Sequence, residues 1–242
     1  MRKMFPRLLA FMVALGAASV AFAEPNTLLV DESFSSANLP AKWEPVGRPN
    51  SFSIVDGALR GVCAPDDPHG PAMGVPIDGH NLAVEFRVKY AKPGYFLFLI
   101  DGDSQFGGQA HLLRFALPQS QILLAQDRGT AQSKQEQKAA RDAAQQAGTK
   151  VPPPTKEQLA DPKFYRTELL AKQPANPADG EWHRVHIELR GNEVTAQMDD
   201  LPPLHATGTV LDVKKSRLAF LVGMAGDVRI GNVRAWEIAA KP

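Results

Sequence analysis

Two carboxylate side chains, Glu85 and Asp101, are the residues of this sequence best suited to acid–base chemistry. Glu85 lies on the polar side of an alternating stretch, and Asp101 directly follows the apolar stretch 95–100. Paired carboxylates hydrolyse glycosidic bonds when about 5–5.5 Å (retaining) or roughly 6.5–9.5 Å (inverting) separates them. The sequence therefore predicts a catalytic pair, with Glu85 as the general acid or base, provided that both side chains reach one surface.

Four further side chains near the same predicted strands are candidates for substrate binding: Arg87, Asp103, Arg114 and Tyr95. Arginines can orient hydroxyl or keto oxygens, and Tyr95 or Phe106 could provide an aromatic platform for a sugar ring. Each candidate also has an ordinary structural interpretation. Charged residues on strands are usually just solvated, and Tyr95 could simply pack in the core.

No metal or cofactor motif is complete in this sequence. The six histidines have neither HExxH nor paired zinc spacing, and GxSxG, Walker A and dinucleotide-binding fingerprints are absent. The stretch 101–103 (DGD) is rich in oxygen ligands, but it lacks the remaining positions of an EF-hand loop. We therefore expect no cofactor, and calcium at this stretch is the alternative left open.

The first residues have the three parts of a secretory signal peptide. A basic start is followed by the apolar run 8–20 and then by the small-x-small cleavage pattern AFA at 21–23. We expect residues 1–23 to be removed and the mature chain, 24–242, to be exported to the periplasm or the cell exterior. No second long apolar run follows, which predicts a mature protein without a membrane span.

Composition predicts a globular protein without electrostatic attraction to nucleic acid. Hydrophobic residues make up 44% of the 242 residues, charged residues 22%, and the formal net charge is +1. A nucleic-acid-binding domain typically has a pronounced excess of basic residues. Cys63 is the only cysteine, so an intramolecular disulfide is excluded and core burial must supply the stability.

Alternation of apolar and polar residues with a period of two predicts several β-strands, among them 82–90, 95–100, 111–117 and 183–189. We expect 82–90 and 183–189 to lie in two stacked layers with one apolar interior. The stretch 95–100 is apolar at almost every position, as in a strand buried on both faces. Strict alternation in 111–117 predicts that His111 and Arg114 point to opposite faces.

Two stretches are predicted to lie outside the sheets. The proline- and glycine-rich stretch 65–79 is typical of a loop. Residues 126–180 are predicted to be a mainly helical or irregular insertion, with one solvated helix over 130–147 and a second beginning at Thr155. The insertion could be a lid or partner-binding arm, or merely a tolerated surface excursion.

The order of these features resembles the concanavalin A-like, laminin-G-like jelly rolls of secreted proteins. The resemblance is carried by DESF at 31–34, LAVEFR at 82–87, GEWHRV at 180–185 and VRIGNVR at 228–234. Among such domains the sequence is most similar to the 3-keto-disaccharide hydrolase domain family of bacterial exported proteins. The resemblance covers most of 28–238 except the insertion, and it implies a jelly-roll β-sandwich and a sugar-related role. No catalytic residue is transferred from the family.

The sequence thus predicts an exported, all-β, single-domain jelly roll that engages carbohydrate and could hydrolyse modified glycosides. On this hypothesis one concave face carries Glu85, Arg87, Asp101 and Arg114. The alternative is a non-catalytic envelope-binding or structural module that contacts a partner protein through residues 126–180.

Overall fold

The computed structural model describes residues 27–46, 52–67, 69–105 and 109–240 of the chain. The predicted signal peptide and Phe106 lie outside these ranges. The described elements follow in chain order as β1 (Thr27–Glu32), β2 (Glu44–Pro45), β3 (Phe52–Val55), β4 (Ala58–Val62), β5 (Ala72–Gly79), β6 (Leu82–Lys92), β7 (Tyr95–Asp103), β8 (Gln109–Leu117), β9 (Gln121–Arg128), α1 (Ala131–Gln146), α2 (Lys156–Ala160), β10 (Arg166–Pro174), β11 (His183–Arg190), β12 (Glu193–Met198), β13 (Leu204–Thr207), β14 (Lys215–Gly223) and β15 (Asp227–Glu237).

The strands form two antiparallel sheets that pack face to face. In the larger sheet the order is β13-β12-β11-β6-β15-β4-β3, and β1 pairs with β15. In the smaller sheet the order is β10-β9-β8-β7-β14-β5-β2. This architecture is the predicted jelly-roll β-sandwich, and the fold prediction is confirmed.

Aromatic side chains join the two sheets at the centre of the core. Phe86 of the larger sheet lies 5.0 Å from Phe98 and 5.4 Å from Phe220 of the smaller sheet, measured between ring centroids. Trp43 stacks on Phe220, with 5.8 Å between the two ring centroids. Alternation explains this packing, because every second residue of each central strand points inward.

The strands β6 and β11 are both part of the larger sheet, so their predicted placement in two stacked layers was wrong. They are direct neighbours, with Arg184 opposite Arg87 and Ile187 opposite Val84. Their apolar faces do point into one shared interior, as predicted. Alternation identifies the buried face of a strand, but it carries no information about which sheet the strand joins.

A tight hairpin turn and a bulge in β15 shape part of the larger sheet. Asp56 (φ 52°) and Gly57 (φ 70°) form the β3–β4 hairpin turn, whose two central residues need positive φ. In β15 the pairing with β6 shifts between Gly231 and Arg234, and Asn232 has φ 51°. The alternation of apolar residues in the sequence changes parity around Gly231 and Asn232, which by itself predicts a bulge or bend at this place.

The predicted insertion contains both helices and one strand that the sequence did not indicate. Thr130 caps α1, and Thr155 forms a capping box with Gln158 at the start of α2. Neither helix buries a residue. The unpredicted strand β10 pairs with β9 and forms one edge of the smaller sheet. The prediction of a loop over 65–79 was likewise wrong from residue 72 onward, because β5 occupies that part.

The part of the chain that the structure describes contains no helix that is both long and apolar enough to cross a membrane. Cys63 is buried.

Lys215 is a fully buried cation whose removal we expect to stabilise the fold. Its side chain donates to the carbonyl of His80 and is 0% exposed. Burial lowers the pKa of Lys215 to about 8, and the nearby Asp212 only partly opposes this effect. At pH 7 Lys215→Met should raise the free energy of unfolding by about 2 kcal/mol, because methionine fills a similar volume without a desolvated charge.

The pH dependence provides the check on this prediction. Between pH 8 and about 10.4 the unfolded lysine binds more protons than the folded one, so the stability of the wild type should rise with pH over this window. In Lys215→Met this rise should disappear. Urea unfolding at pH 7 and pH 10 measures both effects, and a less stable variant at pH 7 would contradict the prediction.

Candidate functional site

The outer face of the smaller sheet combines an apolar strip with a group of buried, paired charges. Along β7, Phe96, Phe98 and Ile100 point into the core, and Leu97 and Leu99 point outward. Leu97 and Leu99 are nevertheless buried, which confirms that this strand is covered on both faces. The apolar strip consists of Leu97, Leu99, Ala116 and Ala219, flanked by the partly exposed Val46, Tyr95, Leu123 and Leu221.

Asp101 lies at the end of β7 on this face and holds two cationic or potentially cationic side chains. Its Oδ1 is 2.6 Å from Nδ1 of His111, and its Oδ2 accepts from Nε of Arg217 at 2.9 Å and also from Nη2. The Asp101 side chain is 0% exposed, whereas His111 and Arg217 are 25% and 26% exposed. A buried carboxylate thus fixes two side chains that reach solvent.

A bulge brings His111 to this face, contrary to the expectation from strict alternation. In the β7–β8 pairing, Leu113 is opposite Ile100 and His111 is opposite Asp101, so Leu112 has no opposite residue. Leu112 packs into the core, and His111 therefore shares the outer face with Arg114. One extra residue in a strand reverses the parity of all residues beyond it.

Asp127 of β9 is the second buried carboxylate, and it accepts hydrogen bonds from three side chains. Nε and Nη2 of Arg114 each donate at 2.7 Å, in a bidentate arrangement. The hydroxyls of Tyr165 and Thr167 donate at 2.7 and 2.8 Å. Lys134 of α1 lies 3.9 Å from the carboxylate and 4.9 Å from the Tyr165 ring centroid.

We refer to these residues together as the sheet-face cluster: Asp101, His111, Arg114, Asp127, Tyr165 and Arg217, with Lys134 and Thr167 at its edge. The groups around Asp101 and Asp127 interact electrostatically, since His111, which contacts Asp101, also lowers the pKa of Asp127. Five strands of the smaller sheet, β7 to β10 and β14, and the first helix of the insertion position the cluster, with Tyr165 directly before β10.

The charges of the cluster are stabilised by their partners despite burial. Burial alone would raise the pKa of Asp101, but hydrogen bonds from His111 and Arg217 keep it below its usual value. Burial similarly opposes ionisation of Asp127, and Arg114 and Tyr165 outweigh it, so the pKa of Asp127 is also lowered. Burial, followed by the negative charge of Asp127, raises the pKa of Tyr165 to about 12.

These pKa directions restrict the chemistry of the face. A general acid of a glycosidase must hold its proton near neutral pH, which requires a raised carboxyl pKa. Asp101 and Asp127 have lowered pKa values and therefore remain carboxylates. The side chains available to a ligand are hydrogen-bond donors, and the imidazole of His111 is the one among them that also has a nitrogen able to accept a hydrogen bond.

The structure does not bring the predicted catalytic pair together. Glu85 lies on the outer face of the larger sheet, where it accepts from Arg184 at 2.8 Å and contacts His186 at 3.0 Å. Asp101 lies on the outer face of the smaller sheet, with the whole core between the two side chains. Stacked sheets are about 10 Å apart, and outward side chains diverge further, so the two carboxylates cannot act on one glycosidic bond.

The predicted binding residues are divided in the same way. Arg114 and Tyr95 share the face of Asp101, and the two are close enough for the charge of Arg114 to lower the pKa of Tyr95, although burial dominates and raises it. Asp103 is exposed at the end of β7. Arg87 lies on the other sheet beside Glu85. The predicted common concave face with Glu85, Arg87, Asp101 and Arg114 was therefore wrong.

Calcium at 101–103 has no support in the geometry, because Asp101 is committed to His111 and to the guanidinium of Arg217. Within the described ranges no group of three or more histidine, cysteine or acidic side chains could hold a metal ion.

Sequence reasoning missed several residues of the cluster, namely His111, Asp127, Tyr165 and Arg217. Asp127 lies in the polar end of β9 and Arg217 in the polar start of β14, so neither stood out from the sequence of its strand. Tyr165 had no such signal, because it lies in the insertion and reaches Asp127 only through the pairing of β10 with β9.

The insertion also forms a groove of about 900 Å³ between α1, the stretch 151–155 and the start of β10. It contains apolar side chains such as Val151, Leu159 and Phe164. Contact of a partner protein with residues 126–180 stays a prediction, and this groove is the place where it could occur.

No protein-family model matches the sequence, and no curated protein matches it. Solved structures do resemble the fold. The LamA protein from Z. galactanivorans, a variant in complex with laminaritriose and laminaritetraose, has a TM-score of 0.57 at 12% identity over 88% of this chain and 100% of that chain. The carbohydrate binding module CBM66 from Bacillus subtilis has a TM-score of 0.51 at 9% identity over 81% of this chain and 96% of that chain.

A third similar structure is the Crh5 transglycosylase, with a TM-score of 0.55 at 12% identity over 90% of this chain and 89% of that chain. At such identities the likeness shows a shared fold. The protein is a concanavalin-like jelly-roll β-sandwich with a helical insertion.

Proposed function

We propose that this protein binds a saccharide on the outer face of the smaller sheet, at the sheet-face cluster. The observation that carries the proposal is the pairing of two buried carboxylates, Asp101 and Asp127, with partly exposed donors. The side chains of His111, Arg114 and Arg217 are 25%, 21% and 26% exposed and are held in fixed orientations. Fixed donors suit sugar hydroxyls, because little rotamer entropy is lost on binding.

The apolar strip supports the same proposal. Sugar rings present C–H faces as well as hydroxyls, and they commonly stack on aromatic or aliphatic side chains. Tyr95, Leu123 and Leu221 provide partly exposed apolar surface beside the donors. The fold agrees with this role, since similar structures include a carbohydrate binding module and a protein in complex with laminaritriose and laminaritetraose.

Binding of neutral oligosaccharides tests this proposal. The mature protein is screened on an array that includes laminaritriose, and the affinity for retained glycans is measured by calorimetry. His111→Ala and Tyr95→Ala should each weaken binding at least about tenfold, roughly 1.4 kcal/mol. His205→Ala, an exposed histidine on β13 of the other sheet, is the matched control and should bind like the wild type.

Circular dichroism melting curves verify that each variant is folded. The proposal is refuted if the wild type retains no glycan, or if folded His111→Ala and Tyr95→Ala bind as tightly as the control.

A second candidate function is hydrolysis of oxidised glycosides, as in the 3-keto-disaccharide hydrolase family that the sequence resembles. The Asp101–His111 contact supports it, because a carboxylate that accepts from Nδ1 leaves Nε2 as the basic nitrogen. Next to a C3 ketone, the C2 proton is acidic. His111 would take that proton, the C2 electron pair would form the C1=C2 double bond, and the glycosidic oxygen would leave C1 with a proton from solvent.

Addition of water across that double bond would then complete the net hydrolysis. This route needs one base and no carboxylate pair, which agrees with the lowered pKa values of both buried aspartates. Release of the aglycone from a 3-keto-glycoside, followed with purified protein, tests for the activity directly.

We also propose that residues 1–23 are cleaved during export to the periplasm or the cell exterior. Mass spectrometry of protein recovered from those compartments should find a chain that begins at Glu24. An intact N terminus there would contradict this cleavage.

A further inference from the structure

A second pocket lies on the outer face of the larger sheet, on the side of the sandwich opposite the sheet-face cluster. It has a volume of about 240 Å³ and is lined by Glu85, Phe86, Arg87, Arg184, Asn232 and Arg234. We call it the arginine pocket. Neither the proposed saccharide site nor the proposed reaction uses any of these residues.

Strand register forces the arginines of this pocket close together. Arg87 of β6 is directly opposite Arg184 of β11, and on its other side it is opposite Gly231 of β15. Directly opposite residues have Cβ atoms about 4.5–5.5 Å apart, and like charges at this spacing are destabilising. An anion bound between the guanidinium groups would remove this repulsion.

The carboxylates near the pocket neutralise only part of its positive charge. Arg184 pairs with Glu85 at 2.8 Å, and Arg234 pairs with Asp31 at 3.0 Å. Arg87 makes no ion pair among the described residues, and its guanidinium lies 4.9 Å from the ring centroid of Trp182. One guanidinium therefore has unused hydrogen-bond donors at the pocket, and stacking on the indole fixes its plane.

The bulge in β15 completes the pocket wall. At Gly231 a Cβ atom would lie 3.7 Å from the Trp182 indole, so the indole lies close to this glycine, beside the pocket residue Asn232. The next residue, Asn232, has positive φ and contributes its exposed side chain to the lining. Bulges commonly re-aim a side chain toward a binding site.

We propose that the arginine pocket binds an oxyanion group, such as the carboxylate of a uronic acid or a free phosphate. Two guanidinium groups can donate to such a group in bidentate geometry, and the amide of Asn232 can donate a further hydrogen bond. The edge of Trp182 offers contact to a sugar ring that carries the anion. This site is independent of the saccharide site proposed on the other sheet.

Calorimetry with three probes tests the proposal and separates the sources of the anion: trigalacturonic acid, its neutral methyl ester and inorganic phosphate. At low ionic strength the acid should bind at least about tenfold more tightly than the ester, and added salt should weaken its binding. Binding of phosphate as tight as that of the acid would identify the free anion as ligand. Selective binding of the acid would identify an acidic saccharide.

Variants localise the binding. Arg87→Gln and Arg184→Gln should each weaken binding of the anionic probe at least about tenfold. Arg229→Gln is the matched control, because Arg229 is on the same face and in the same strand as Arg234 but pairs with Asp56 outside the pocket. The proposal is overturned if the wild type binds neither anionic probe, or if both pocket variants bind like Arg229→Gln.

Discussion

Asp127→Ala should lower the free energy of unfolding by about 3–5 kcal/mol, the largest effect expected from any polar substitution in this protein. The substitution leaves Arg114 largely buried without its carboxylate, and it removes the acceptor of Tyr165 and Thr167. The loss of stability comes mainly from the uncompensated charge. Urea unfolding of the two proteins at pH 7 measures it.

Two further variants separate this mechanism from simple loss of contacts. Adding Arg114→Met to Asp127→Ala removes the stranded charge and should recover part of the lost stability. Asp142→Ala, which breaks the exposed pair with Lys138, should change the stability by no more than about 0.5 kcal/mol. A double variant as unstable as Asp127→Ala would show that the buried charge is not the cause.

The pH dependence of this effect has a definite sign. The pKa of Asp127 is lower in the folded state than the unfolded value of about 3.9. Its stabilisation is therefore fully present above about pH 4 and is lost as the pH falls through the folded pKa. The stability difference between the wild type and Asp127→Ala should be largest near neutral pH and shrink in acid.

If the protein hydrolyses a 3-keto-glycoside as proposed, His111→Gln should reduce kcat about 10²–10⁴-fold, the contribution typical of a general base. Glutamine is polar and of similar size, so Asp101 keeps a potential hydrogen-bond donor beside Arg217. Because the base acts on a bound substrate, KM should change much less than kcat. Initial rates of aglycone release over a range of substrate concentrations give both constants.

Asp101→Asn tests the orientation of the same imidazole. An amide in place of the carboxylate can favour the wrong tautomer of His111, so kcat should fall although the side-chain volume is unchanged. His205→Gln, which replaces an exposed histidine on β13, should retain full kcat. A His111→Gln protein with kcat near that of His205→Gln would exclude His111 as the base.

The local alternation of apolar and polar residues was sufficient to predict most of the strands, but it did not predict which side chains form the candidate site. The alternation in 82–90 correctly identified Val84, Phe86 and Val88 as core residues and Glu85 and Arg87 as outward. It could not reveal that Asp101 faces outward from the other sheet. Strands of both sheets turn one face to the shared core, so the apolar pattern of a strand does not show which sheet it joins.

The sheet-face cluster depends on two events that have no local signature. The bulge at Leu112 moves His111 to the face of Asp101 and Arg114, against the parity of its strand. The pairing of β10 with β9 brings Tyr165 within 2.7 Å of Asp127, which is 38 residues earlier in the chain. The sequence contains all five of these side chains, but only non-local strand pairing brings them together.

The sequence by itself determined the fold class, the buried face of each central strand, the helical part of the insertion and the bulge near Asn232. These features follow from local periodicity, capping and turn residues, which act over a few neighbouring positions. Only the tertiary structure decided that Glu85 and Asp101 lie on opposite sides of the sandwich, and which side chains pair with each. The physical reason is that strand order and register depend on contacts between distant parts of the chain, which local patterns do not encode.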